Sequence, residues 1–89
     1  MSATILIAED EPSIRKSLAE RLAENGYLLR AAANGEAAVK LVREERPDLV
    51  LMDVMMPVLD GYEACAAIRE FDRELPVVFL SALDRDEDQ

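Results

Sequence analysis

The chain has 89 residues, of which 51% are hydrophobic and 33% charged, and its formal net charge at pH 7 is −9. This composition is typical of a globular protein and excludes a disordered segment, and the length leaves room for one domain, which we expect to occupy residues 1–89. The strong negative charge disfavours direct contact with nucleic acid or with an anionic membrane, and it favours a cationic partner or a metal ion.

The N-terminus and the single cysteine indicate where the protein works. No basic segment precedes the first apolar run, which stops at Glu9, so the start of the chain does not have the pattern of a secretion signal. No apolar run approaches the roughly 20 residues that would span a bilayer. Cys65 has no second cysteine to pair with, which fits a reducing compartment, and we expect it to be a small helix residue. These features predict a cytoplasmic protein.

Four short apolar runs are predicted to form strands. They cover residues 4–8, 27–32, 48–53 and 76–81. The first and third runs are continuous and end in acids, Glu9 with Asp10 and then Asp53, as expected for strands that are buried on both faces and end at a polar edge. The second run is the most mixed in character, so we expect it near an edge of the sheet.

Three segments with helical spacing separate these runs. Pro12 and Ser13 predict the start of the first helix, with Ser13 as its cap, and the pair Asn25-Gly26 predicts its end. Asn34 is expected to cap a second helix over residues 35–45, which Pro47 closes. Asp60 and Glu63 have the spacing of a capping box for a third helix. The predicted inward residues are Ile14, Leu18, Ala19, Leu22 and Ala23, then Ala38, Leu41 and Val42, then Ala64, Cys65, Ile68 and Phe71.

The alternation of strands and helices determines the fold class. Successive strands joined by helices require right-handed crossovers, which produce a parallel sheet with helices on both faces. Ligands of such α/β sheets bind beyond the carboxyl ends of the strands. Asp53 is therefore predicted to lie where chemistry takes place.

The acids at the strand ends predict a magnesium site. If the first and third strands are neighbours, Asp10 and Asp53 leave the sheet about 5 Å apart, with Glu9 beside them. Such acids repel one another, whereas Mg²⁺ prefers oxygen ligands and accepts one or two carboxylates together with phosphate oxygens. One carboxylate could then attack a phosphoryl group, and Ser81 after the fourth strand could hydrogen-bond a phosphoryl oxygen. Acids at strand ends also serve as solvated turn residues, and for each acid taken singly that alternative stays open.

The ordered set of motifs resembles the receiver domain of bacterial two-component response regulators. The set comprises Glu9-Asp10, Asp53, Met56-Pro57, Asp60-Gly61 and Ser81-Ala82. The resemblance implies a flavodoxin-like sheet with strand order 2-1-3-4. It also implies that Asp53 is the phosphoacceptor, that Glu9, Asp10, Asp53 and the backbone carbonyl of Met55 hold Mg²⁺, and that Ser81 is the switch hydroxyl. The implied phosphoryl donor is a sensor histidine kinase or a phosphotransfer protein.

Family members continue through a fifth strand and further helices, so we expect this chain to be a receiver domain that is incomplete at its C-terminus. The strand at 77–80 and the sheet face beside the first helix would then be exposed, which predicts either self-association, for example a homodimer, or a partly ordered piece of a longer protein. A non-phosphorylated interaction or dimerisation module is the alternative function. We do not expect the chain to be an enzyme with its own turnover. It has no histidine for general-base catalysis and no second acid two residues after Asp53.

Overall fold

The computed structural model describes residues 2–80, which form a four-stranded parallel sheet and three helices. The elements in chain order are β1 (Thr4–Ala8), α1 (Pro12–Glu24), β2 (Leu28–Ala32), α2 (Gly35–Glu44), β3 (Leu49–Asp53), α3 (Gly61–Arg69) and β4 (Val77–Leu80). The strand order is β2-β1-β3-β4 and every pairing is parallel. The predicted fold class and strand order are confirmed.

The sheet has a well-covered face against α2 and α3. Its core is formed by Leu6, Ala8, Ala32, Ala38, Val42, Val50, Met52, Met56, Ala64, Ile68 and Leu75, all of which are buried. These residues include alternate positions of β1 and β3, because successive side chains of a strand point to opposite faces of the sheet. Hydrophobic burial on this face therefore holds the two central strands in register.

The opposite face carries α1 and is covered less completely by the part of the chain that is described. Ile5 and Ile7 of β1 are buried, but no residue of α1 is. Val78, in the outer strand β4, is 50% exposed. The predicted self-association through this face stays a prediction. Among the described helices, none has the length and apolar character that would be needed to cross a membrane.

The helix caps confirm two of the three predicted starts. Asn34 accepts a hydrogen bond from the backbone of Ala37 at 2.8 Å, and Asp60 and Glu63 form the predicted capping box, in which each side chain accepts from the other residue's backbone N–H. The prediction for Ser13 is wrong. Pro12 is already the first helical residue and Glu11 takes the cap position without a side-chain hydrogen bond, since the fixed φ of Pro suits the first turn.

The predicted inward face of the third helix is only partly correct. Ala64 and Ile68 are buried, whereas Cys65 is half-buried. Phe71 lies beyond the last residue of α3, is 39% exposed, and has the Arg43 guanidinium 4.5 Å above its ring centroid. The helix ends sooner than its apolar spacing suggested, so Phe71 packs against α2 at the surface rather than inside the core.

Candidate metal centre

Glu9 is held at the carboxyl end of β1 by its backbone and by its side chain. Its N–H donates to the carbonyl of Ala32 in β2 at 3.0 Å, and its carboxylate accepts from the N–H of Glu11 at 3.0 Å. Its carbonyl accepts from the Arg15 guanidinium at 2.7 Å. The residue is fully buried. Burying a carboxylate is costly without polar partners, and the N–H of Glu11 is one such partner of the Glu9 carboxylate.

Asp53 is the last residue of β3 and is also fully buried. In the sheet it lies beside Leu80 of β4. The start of α3 packs directly behind it, because a Cβ built on Gly61 would overlap the Asp53 carbonyl oxygen, and the Gly61 N–H donates to the carbonyl of Val54 at 2.8 Å. Helix α3 can therefore begin this close to Asp53 only because position 61 is a glycine, which has no side chain.

The structure brings Glu9, Asp10 and Asp53 together at one edge of the sheet. One carboxylate oxygen from each of the three residues lies within 4.8 Å of the others. Glu9 and Asp53 are buried and Asp10 is exposed, so the cluster, which we call the acid rim, opens to solvent on the Asp10 side. The convergence follows from the parallel pairing of β1 with β3, which places the carboxyl ends of both strands at the same edge.

The acid rim has the chemistry of a site for a hard divalent cation. Three carboxylates at this separation repel one another, and an ion that prefers oxygen ligands would relieve that repulsion. The loop after β3 carries Met55, whose side chain is 62% exposed, two residues beyond Asp53. The remaining predicted site residue, Ser81, lies outside the described residues.

A surface depression of about 520 Å³ adjoins the acid rim. Its lining consists of Asp10, Val54, Met55, Met56, Pro57, Asp60 and Tyr62. Apart from the two acids, these residues belong to the loop after β3 and to the first turn of α3. A ligand that enters the depression would meet the acids Asp10 and Asp60 and the exposed side chains of Met55 and Tyr62.

Sequence reasoning missed two residues that shape this site. Gly61 belongs to the Asp60-Gly61 motif of the sequence, but its close approach to Asp53 depends on contacts that no local pattern reveals. Arg15 was not singled out, although an arginine in the first turns of the helix that follows a strand ending in acids is a usable signal. Its contact with Glu9 depends on how α1 lies against β1.

Comparison with known proteins gives a consistent result. The model for the family "Response regulator receiver domain" matches residues 5–89. Over 79 residues the chain is 48% identical to the "Probable transcriptional regulator ycf27" of Guillardia theta, an alignment that covers 89% of this chain and 31% of that protein. The chain spans about a third of the length of the curated relatives it matches.

Two solved structures are similar over the whole chain. One is the response regulator TrrA of Thermotoga maritima in complex with Mg(2+)-BeF, with a TM-score of 0.88, 36% identity and coverage of 100% of this chain and 76% of that one. The other is the receiver domain of the sensor histidine kinase PA1611 of Pseudomonas aeruginosa PAO1, with a magnesium ion in its active site cleft, a TM-score of 0.88, 34% identity and the same coverages.

Proposed function

The chain belongs to the family of response regulator receiver domains, and from this premise we propose that Asp53 accepts a phosphoryl group with the help of Mg²⁺ held at the acid rim. The observation that carries the proposal is the convergence of Glu9, Asp10 and Asp53, with ligand oxygens within 4.8 Å of one another. A lone strand-end acid would not support it, because such acids commonly act as turn residues.

We propose that the ion is held by the carboxylates of Glu9, Asp10 and Asp53 and by the backbone carbonyl of Met55. The burial of Glu9 and Asp53 supports this assignment, because a buried carboxylate cluster gains much more from a cation than an exposed one, where water screens the charges. When bound, Mg²⁺ offsets the negative charge of the carboxylates and of the phosphoryl oxygens. Two structurally similar proteins, the PA1611 receiver domain with a magnesium ion in its active site cleft and TrrA in complex with Mg(2+)-BeF, support the same assignment.

The transfer is a nucleophilic displacement at phosphorus. An oxygen of the Asp53 carboxylate forms a bond to phosphorus while the bond from phosphorus to the imidazole nitrogen of a phosphohistidine breaks. The electron pair of that bond returns to the imidazole nitrogen, and a phosphohistidine whose other ring nitrogen already carries a proton leaves as neutral histidine. Asp53 becomes an acyl phosphate, and each chain accepts one phosphoryl group, so the domain is a phosphoacceptor module and not an enzyme with its own turnover.

Receiver domains are phosphorylated by histidine kinases, so we propose a sensor histidine kinase or a phosphotransfer protein as the partner of this chain. The depression beside Asp10 gives the donor a route to the rim, since Asp53 itself is fully buried. Ser81, by resemblance to the family, is proposed to hydrogen-bond the new phosphoryl group and to report its presence.

The function of the whole protein is proposed from its relatives. One of them is named as a probable transcriptional regulator, and the chain corresponds to less than a third of it. We propose that the receiver domain is the input of a regulator of gene expression. The prediction from net charge that no nucleic acid is contacted is not supported by this similarity, because a regulator of transcription acts on DNA.

The proposal is tested by phosphoryl uptake from a small phosphodonor such as acetyl phosphate, followed by intact-mass spectrometry with and without Mg²⁺. We expect one added phosphoryl group that requires Mg²⁺ and that disappears in Asp53→Asn. Asp48→Asn is the matched control, because Asp48 immediately precedes the same strand at its opposite end and is exposed.

Two other outcomes would count against the proposal. Uptake that persists in Asp53→Asn would show that another side chain is the acceptor. Saturable Mg²⁺ binding without any phosphoryl uptake would favour the alternative function, a receiver-like interaction module that is not phosphorylated.

A further inference from the structure

We propose that Arg15 is a positioning residue that orients the Glu9–Asp10 backbone for metal binding, an inference that rests on the proposed function. Arg15 is the fourth residue of α1, five residues after Asp10, and is half-buried. Its guanidinium donates to the carbonyl of Glu9 at 2.7 Å. The peptide that joins Glu9 to Asp10 therefore accepts a charge-assisted hydrogen bond from α1, and such bonds are stronger than neutral ones.

The contact completes a set of restraints around Glu9. The N–H of Glu9 is bonded to β2 through Ala32, and its carboxylate accepts from the N–H of Glu11. The N–H of Arg15 donates in turn to the carbonyl of Glu11 at 3.0 Å. Arg15 thus connects the turn from β1 into α1 at both of its ends. A rotation of the Glu9–Asp10 peptide would move both carboxylates relative to Asp53, and this contact opposes that rotation.

Removing Arg15 would change the affinity for Mg²⁺ in two ways, through its charge and through its contact with Glu9. A cation near a metal site repels the incoming metal, so loss of the positive charge alone would tighten Mg²⁺ binding. Loss of positioning would weaken it, because groups that orient metal ligands typically contribute 10- to 100-fold to metal affinity. The two effects of removing Arg15 have opposite signs, and the sign of the change in affinity distinguishes them.

Arg21 provides the matched control for the charge. It lies in the last turn of the same helix and is exposed. It is six residues from Arg15, which corresponds to roughly 9 Å along the helix axis. Arg21→Met and Arg15→Met remove the same charge and introduce the same side chain, so a difference between them reports the contact with Glu9 rather than the net charge.

The experiment measures Mg²⁺ affinity by calorimetric titration of the intact protein and its variants, with thermal unfolding in the absence of Mg²⁺ to show that each variant is folded. We expect the dissociation constant of Arg15→Met to rise roughly tenfold over that of the wild type, while Arg21→Met binds as tightly as the wild type or more tightly. Arg15→Met that binds Mg²⁺ as tightly as Arg21→Met would overturn the proposal.

A conservative variant separates positioning from general stability. Arg15→Lys keeps the charge and one donor, and we expect its dissociation constant to stay within about threefold of the wild-type value, since a lysine can still donate to the Glu9 carbonyl. A lysine variant as weak as Arg15→Met would contradict the proposal. If Arg15→Met fails to unfold cooperatively, Arg15→Leu, which also lacks both the charge and a donor, replaces it with Arg21→Leu as its control, and the expected weakening and the overturning result stay the same.

The same titration separates this inference from the function on which it rests. If the wild type shows no saturable Mg²⁺ binding, the proposed function fails. If the wild type binds Mg²⁺ and Asp53→Asn does not, whereas Arg15→Met matches Arg21→Met, the proposed function stands and only the role of Arg15 is wrong.

Discussion

Two acidic regions of the molecule are built in opposite ways. At the acid rim, Glu9, Asp10 and Asp53 place three like charges within a few ångströms of one another. At the turn between α3 and β4, the Asp72 carboxylate is surrounded by hydrogen-bond donors. It pairs with the Arg46 guanidinium at 2.5 Å and accepts from the backbone of Glu74 at 3.2 Å and of Leu75 at 3.0 Å.

The contrast separates an acid that stabilises the structure from acids that we propose to bind a metal ion. Asp72 accepts from two N–H groups of its own turn and pairs with Arg46, which lies 26 residues earlier between α2 and β3, so its charge contributes to the stability of the loop. The rim gathers acids from two strands that are far apart in sequence, which costs stability unless a cation arrives. The experiments below test this contrast, in order of decreasing expected effect.

Gly61→Ala is expected to lower the free energy of unfolding the most, because the start of α3 packs against the backbone of Asp53 in the acid rim. The added methyl group would overlap the Asp53 carbonyl and approach the backbone of Val54, neither of which can move without shifting β3. We expect a loss of about 3 kcal/mol in the free energy of unfolding, at the upper end of typical overpacking costs. Denaturant unfolding provides the measurement.

Gly26→Ala is the control for Gly61→Ala. Gly26 has a φ of +89° and no atom within 4 Å of its would-be methyl group, so the cost there is the backbone term alone, about 1 kcal/mol. Equal losses at the two positions would contradict the packing of α3 against Asp53.

An Asp→Asn substitution should change the free energy of unfolding in opposite directions in the two regions. Asp53→Asn removes one of three clustered charges, so without Mg²⁺ we expect it to raise the free energy of unfolding by at least about 1 kcal/mol, which is the repulsion of two unit charges about 4 Å apart even in water. Asp72→Asn should lower it, because the new amide would face the Arg46 donor. Unfolding at pH 7 in the presence of a chelator measures both. If both variants lose stability, the rim acids are structural.

The smallest expected effect is the contribution of the Asp72–Arg46 pair to the pH dependence of stability. The hydrogen bond from Arg46 holds the pKa of Asp72 below its usual value, and the N–H groups of Glu74 and Leu75 act in the same direction. A carboxyl with a lowered folded pKa stabilises the fold above its unfolded pKa of about 3.9, and that contribution is lost as the pH falls through the folded pKa. We therefore expect wild-type stability to fall below about pH 4 more steeply than that of Arg46→Met. Parallel profiles for the two proteins would contradict the pairing.

The fold and the positions of the rim acids were predictable because their signals are local. Short apolar runs separated by segments with helical spacing indicated the four strands. The caps at Asn34 and Asp60 form with residues three positions away. The acids follow the first and third runs directly, so their place at the strand ends could be inferred without knowledge of the packing.

The sequence predictions are wrong or incomplete where two local signals compete, or where contacts between residues distant in the chain determine the structure. Ser13 and Pro12 both favour a helix start, and Pro12 prevailed as the first helical residue, leaving Ser13 inside the helix. Phe71 continued the apolar spacing of α3, but the helix ends at Arg69. The role of Gly61 follows from an approach to Asp53 across the start of α3, and that of Arg15 from how α1 lies on β1.

By itself the sequence determined the order of strands and helices, the class of sheet and the acids that end two of its strands, because hydrophobic periodicity and capping act over a few residues. Only the tertiary structure decided that the ligand oxygens of these acids come within 4.8 Å of one another, that two of the acids are buried, and that Arg15 holds the Glu9 backbone. These features depend on the pairing of β1 with β3 and on helix packing, which join residues too far apart in the chain for a local pattern to connect.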